Sequence, residues 1–164
     1  MLSVPDGSLI VLAGVSGAGK STLAKSLCTS DMIANADFFR WMISGDENDQ
    51  SVTPQAWEMT NRLIEHRLSL GKTTLVDSLA LQPRARRSLV EMAKAAGAQA
   101  HMIMLWAELE VCLAGQQSRE RKVPEDVVRR MFMQAEELKM LIEKTELTEE
   151  GFSSAKIIVR EDMA

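Results

Sequence analysis

The chain has no surplus of positive charge, only two cysteines and two histidines, and no apolar run long enough to cross a bilayer. Each shortage excludes something. A formal net charge of −4 argues against broad, sequence-independent coating of nucleic acid, which needs a basic face. It leaves room for a small local site that takes one nucleic-acid end. Cys28 and Cys112 lack metal-ligand spacing and are too few for a disulfide framework. They read as reduced, structural thiols of a cytoplasmic protein. His66 and His101 stand alone, one in a helical pattern and one in a strand pattern, and neither is expected to be catalytic. The apolar run near the N-terminus is too short for a membrane span and has no basic flank, so it reads as a strand and not as a signal peptide. No repeat, low-complexity tract or interdomain linker interrupts the 164 residues, which predict one domain, 1–164.

What the chain does have is Gly14-Val15-Ser16-Gly17-Ala18-Gly19-Lys20-Ser21-Thr22, between the apolar run Leu9–Ala13 and a helical Thr22–Leu27. This is the Walker A spelling, G-x-x-x-x-G-K-[ST], in the strand–loop–helix context that it requires. A loop that wraps phosphate turns its backbone N–H groups inward, and glycines at 14, 17 and 19 remove Cβ atoms that would obstruct it. The helix N-terminus adds partial positive charge. Lys20 is then placed to reach the β- and γ-phosphates, and the Ser21 hydroxyl to ligate Mg²⁺. Gly14, Ser16, Gly17, Ala18, Gly19, Lys20, Ser21 and Thr22 are assigned to binding ATP, with Mg²⁺ as the accompanying ion.

The rest of the chain alternates strand and helix signals. Strands are expected at 32–34, 73–77, 101–105 and 156–159. Thr53-Pro54 starts a helix with Thr as N-cap, and Gly71 stops it. Pro83 opens another helix, residues 108–116 look helical, and a long helix follows Pro124-Glu125-Asp126. The pattern predicts an α/β P-loop NTPase fold: a five-stranded parallel sheet, helices on both faces, and an arginine-bearing lid. The three tryptophans and the methionines read mainly as core, with Trp41 set apart because it adjoins Arg40.

Ligands of an open α/β sheet sit outside the carboxyl ends of its strands, where Asp37 and Asp77 fall together with the glycine loop. Asp37 is read as the base that accepts the proton of an acceptor hydroxyl. Arg40, one helical turn on, is read as the contact to an acceptor phosphate. The plainer alternatives are a helix cap and a surface ion pair. Asp77 ends its strand as a magnesium-binding carboxylate does. Arg119, Arg121 and Lys122 lie where a lid closes, with Arg119 and Arg121 read as neutralising transition-state charge. Arg84, Arg86 and Arg87 form a second candidate contact for a polyanionic acceptor, Arg86 being the residue chosen, against a solvent-facing basic helix.

The loop Gly14–Thr22, the Asp37-Phe38-Phe39-Arg40 element and the stretch Ser44-Gly45-Asp46-Glu47-Asn48-Asp49-Gln50-Ser51-Val52-Thr53 resemble the kinase domain of bacterial polynucleotide kinase-phosphatases. The resemblance continues through Leu70–Asp77, Leu89–Lys94, Val111-Cys112 and the arginines before Val123, so nearly the whole chain is covered. It implies transfer of a γ-phosphate to the 5′-hydroxyl end of RNA or DNA. Asp37 would be the general base, Arg40 the acceptor-strand contact, and Arg119 and Arg121 the lid arginines. Two departures stand out. The family's Asp-x-Thr-Asn is Asp77-Ser78-Leu79-Ala80 here, and an earlier lid arginine is replaced within Leu113-Ala114-Gly115-Gln116. The phosphatase and ligase modules of bacterial relatives are not in this chain, which implies a stand-alone kinase or separate phosphatase or ligase partners. Two other readings stay open: a P-loop kinase of a small hydroxylated molecule, and a nucleotide-binding subunit without transfer activity.

Overall fold

Strand β1 (Leu9–Ala13) is wholly buried and lies at the centre of a five-stranded parallel sheet in the order β2-β3-β1-β4-β5. The other strands are β2 (Ile33–Ala34), β3 (Thr74–Asp77), β4 (Ala100–Trp106) and β5 (Ser154–Val159). The computed structural model describes residues 3–161. Burial on both faces explains the unbroken apolar spelling of β1, since a strand covered on two sides has no solvent face to alternate with. Leu9, Val11 and Ala13 enter the larger core, while Ile10 and Leu12 enter a smaller one with Leu75 and Ile103. Helix α1 (Lys20–Leu27) contributes Ala24 to the smaller core. Helices α3 (Thr53–Ser69), α4 (Pro83–Ala95), α5 (Leu109–Gln117) and α6 (Glu125–Glu143) cover the larger one through residues such as Ile64, Leu89, Cys112 and Leu138.

Helix α2 (Ala36–Ser44) packs mainly against α3, beside the edge strand β2. Asn35 caps it, its side chain accepting from the Asp37 N–H at 2.6 Å, so Asp37 sits in the first turn, where a carboxylate suits the helix dipole. Two local expectations are corrected. Thr53 does not cap α3; its hydroxyl accepts from Arg40 Nε at 3.1 Å. β5 starts two residues earlier than the apolar run suggested, because the exposed Ser154 still pairs with His101. Trp41, the tryptophan set apart from the core reading, is 53% exposed on α2, next to the exposed Phe38. Among the described residues no helix is long and apolar enough to cross a membrane.

Candidate active site

All the strands point their carboxyl ends the same way, and the loops there enclose a cleft of about 740 Å³. Lys20, Arg40, Arg119, Arg121 and Arg160 line it, against the carboxylates Asp37, Glu47 and Asp77. Five cations to three anions make a positive cleft in a negative protein, which concentrates field on a polyanionic ligand.

The glycine loop leaves β1 and wraps back into α1. Gly17 has φ of +88°, and a Cβ there would run into the Cys112 carbonyl of α5. Conversely, a Cβ on Gly115 would run into the Gly17 carbonyl. The loop and α5 therefore meet backbone to backbone, a contact only glycine permits. Lys20 Nζ donates to the Val15 carbonyl at 3.0 Å. Burial, opposed by the Asp77 carboxylate and reinforced by Arg119, lowers its pKa to about 8. Triphosphate charge beside it favours the ammonium form.

Two groups from the lid side converge on Ser16. Gln116 Nε2 and Arg119 Nη1 donate to Ser16 Oγ at 3.2 and 2.6 Å. Gln116 Oε1 accepts from the Val123 N–H at 3.1 Å, so this one buried amide joins the loop to the far end of the charged connector 118–124. Arg121 lines the cleft from that connector.

On the opposite side a continuous hydrogen-bonded path leads away from the loop. Ser21 Oγ donates to Asp77 Oδ2 at 2.7 Å, and Asn35 Nδ2 donates to the same oxygen at 3.3 Å. Asn35 Oδ1 holds the Asp37 N–H, the Asp37 carboxylate accepts from Arg40 Nη1, and Arg40 Nε ends the path on Thr53. Arg40 is buried, whereas the Asp37 side chain is 49% exposed to the cleft. The pair thus presents a fixed carboxylate from a rigid helix turn. Beside Asp77, the Ser78 hydroxyl is buried and has no hydrogen-bond partner among the described residues. A hydroxyl and a carboxylate side by side, with a spare hydroxyl at hand, are the hard oxygen donors that suit Mg²⁺. No group of three His, Cys, Asp or Glu converges among the described residues. The ion would share Ser21 and Asp77 with phosphate oxygens and water.

Arg86 corrects the sequence reading. It is 1% exposed, does not line the cleft, and donates to both Glu150 carboxylate oxygens at 2.7 Å and to the Ala80 and Leu81 carbonyls. An arginine so enclosed cannot meet an acceptor; it fastens α4 to the turn before β5. Arg84 and Arg87 are exposed on α4. Of the two departures after Asp77, Leu79 lines the cleft, while Ala80 is buried and does not. His66 and His101 lie outside the cleft lining. The sequence reading passed over Asn35, Gln116 and Arg160. Asn35 and Arg160 carried one available signal: each follows directly on the carboxyl end of a strand.

Solved structures of similar shape include several kinases. A gluconokinase from Sinorhizobium meliloti 1021 matches with a TM-score of 0.58 at 19% identity, over 95% of this chain and 84% of that one. The AvrRxo1-ORF1:ORF2 complex with ATP contains a chain that matches at 0.65 and 17% identity, over 94% of this chain and 55% of its own length. A chain of the Pnkp1/Rnl/Hen1 complex matches at 0.60 and 18% identity, over 75% of this chain and 43% of that one. The chain thus spans about half the length of those last two. At such identities the likeness establishes a P-loop, kinase-like fold. The model of the AAA domain matches residues 9–138, from β1 through the glycine loop, Asp37, Asp77 and the connector to the middle of α6, and the chain belongs to that family.

Proposed function

We propose that this chain transfers the γ-phosphate of ATP to the 5′-hydroxyl end of RNA or DNA. The observation that carries the reading is the hydrogen-bonded path from Ser21 to Arg40, which ties a half-exposed carboxylate, Asp37, to the residues suited to the donor phosphates and Mg²⁺. Phosphoryl transfer needs positioning and charge stabilisation more than covalent chemistry. Asp37 orients the acceptor hydroxyl and takes its proton, with Arg40 fixing the carboxylate and facing the acceptor's own phosphate. Lys20, Arg119 and Arg121 offset charge on the transferring group. Bound Mg²⁺ would supply neutralisation of the donor phosphates at Ser21 and Asp77. The resemblance of the Asp37–Arg40 element and the Asp46–Gln50 loop to polynucleotide kinases supports the acceptor class. Separate phosphatase or ligase chains would complete an end-repair sequence.

A second reading is a kinase of a small hydroxylated molecule. It is favoured by apolar Leu79 in the cleft and by a gluconokinase among the similar structures. The test is transfer of labelled γ-phosphate from ATP and Mg²⁺ to a 5′-hydroxyl oligonucleotide, alongside its 5′-phosphorylated form, nucleosides and gluconate. Labelling of the 5′-hydroxyl oligonucleotide alone is the expected result. Labelling of a small molecule alone would replace the proposal with the second reading. Labelling of nothing, with ATP still bound, would make the chain a nucleotide-binding subunit.

A further inference from the structure

A phosphate cradle has an outside as well as an inside. Every peptide that turns its N–H inward turns its carbonyl outward, and a carbonyl turned into protein needs a donor. In this loop the Ala18–Gly19 peptide is such a unit. The Gly19 N–H makes no hydrogen bond to protein among the described residues, and Ala18 is fully buried. Its carbonyl accepts from Arg160 Nη1 at 2.7 Å, and the same nitrogen lies 3.5 Å from the Gly17 carbonyl. Arg160 is itself anchored, because its own N–H donates to the Trp106 carbonyl at 2.7 Å and so extends the β4–β5 ladder past Val159. Its guanidinium also packs over Gly19 and lines the cleft.

We propose that Arg160 is a positioning residue of the donor site: it grips the phosphate loop by the Ala18 carbonyl, fixing the Ala18–Gly19 peptide with its N–H presented to the donor's phosphates. Two effects follow from one bond. The peptide plane cannot flip without breaking a charge-assisted hydrogen bond. A cation on the carbonyl end also polarises the peptide, which strengthens what its N–H offers to an anion. The inference rests on the phosphate-loop reading and is independent of the acceptor, so its test contains no acceptor.

The experiment measures binding of ADP and of inorganic tripolyphosphate to the wild-type chain, Arg160→Met and Arg160→Lys by titration calorimetry, with amide hydrogen exchange of the loop in the unliganded proteins. Arg160→Met is expected to weaken both ligands by about tenfold, the loss of one charged hydrogen bond. It should also speed exchange at Gly17–Lys20 while leaving the sheet amides protected. Arg160→Lys, which keeps the charge and a donor, is expected to recover part of both, and it carries the test if the methionine variant does not fold. Weakening of ADP with tripolyphosphate unmoved would overturn the inference, because Arg160 would then serve the base. Unchanged binding and exchange would overturn it as well, leaving a surface arginine. Failure of the wild-type chain to bind either ligand would instead overturn the phosphate-loop reading beneath it.

Discussion

The two walls of the cleft are built on different principles. The donor wall is mostly backbone: glycine turns, outward carbonyls and helix N–H groups, locked by Gln116, Arg119 and Arg160 reaching in from distant parts of the chain. The wall proposed to take the acceptor, here the acceptor wall, is mostly side chain: Asp37 and Arg40 stand on one short helix beside the sheet's edge strand. Backbone chemistry is the same for every P-loop protein, so the donor wall announces itself and says little about the acceptor. Side-chain chemistry is particular, so on the proposed reading the acceptor wall decides the substrate, and it is spelled by very few residues.

If the walls divide the labour in this way, substitutions should separate them. The largest effect is expected for Lys20→Ala, which removes phosphate stabilisation. Transfer should fall by about 10²-fold or more for any acceptor, measured as initial rate at saturating acceptor. Asp37→Asn should lower the rate by about 10²-fold while leaving ATP affinity within experimental error in a direct binding assay. A large loss of ATP affinity would place Asp37 on the donor wall. Arg86 tests the boundary from outside. Glu150→Ala strands its buried guanidinium and should cost about 3 kcal/mol of stability in denaturant unfolding, with acceptor KM unchanged below the transition. A raised acceptor KM would return Arg86 to the acceptor wall.

The smallest effect concerns His101, which belongs to neither wall. Burial lowers its pKa, and Nδ1 meets Ser154 Oγ at 2.7 Å while Nε2 has no partner among the described residues. The unfolded chain then binds this proton more readily than the folded one. The His101 contribution to stability is full above the ordinary value of about 6.5 and declines as pH drops below it. His101→Asn should flatten that slope in urea midpoints taken between pH 7.5 and 5.5, with no change in transfer rate.

The division also explains what could be read in advance. Strand order aside, the sheet was legible because β1 is apolar throughout and β4 is apolar but for His101, and the loop was legible because phosphate wrapping demands glycines at set spacing. Asp37 and Asp77 were found by the rule that ligands lie at the carboxyl ends of strands. The same rule covers Asn35 and Arg160, yet a single polar residue with no partner at fixed spacing carries no pattern of its own. Arg86 was misread for a related reason: its charge is visible in the sequence, but its partner, Glu150, lies far along the chain and nothing local pairs them. Thr53 went the same way, since a threonine before proline looks like a cap whether or not an arginine claims its hydroxyl.

The touching backbones of Gly17 and Gly115 have a consequence for anyone who redesigns this protein. The additional lid arginine that the resemblance to polynucleotide kinase-phosphatases implies for Leu113–Gln116 invites introduction, and position 115 is a tempting place for it. Any side chain there, even a methyl, would wedge α5 off the phosphate loop and damage the donor wall it was meant to assist. Ser118, one turn later at the mouth of the cleft, offers an exposed position from which a long cation reaches the same space. The glycine pair is therefore a hard boundary on the evolvable surface of the lid, and new charge must enter from beyond it.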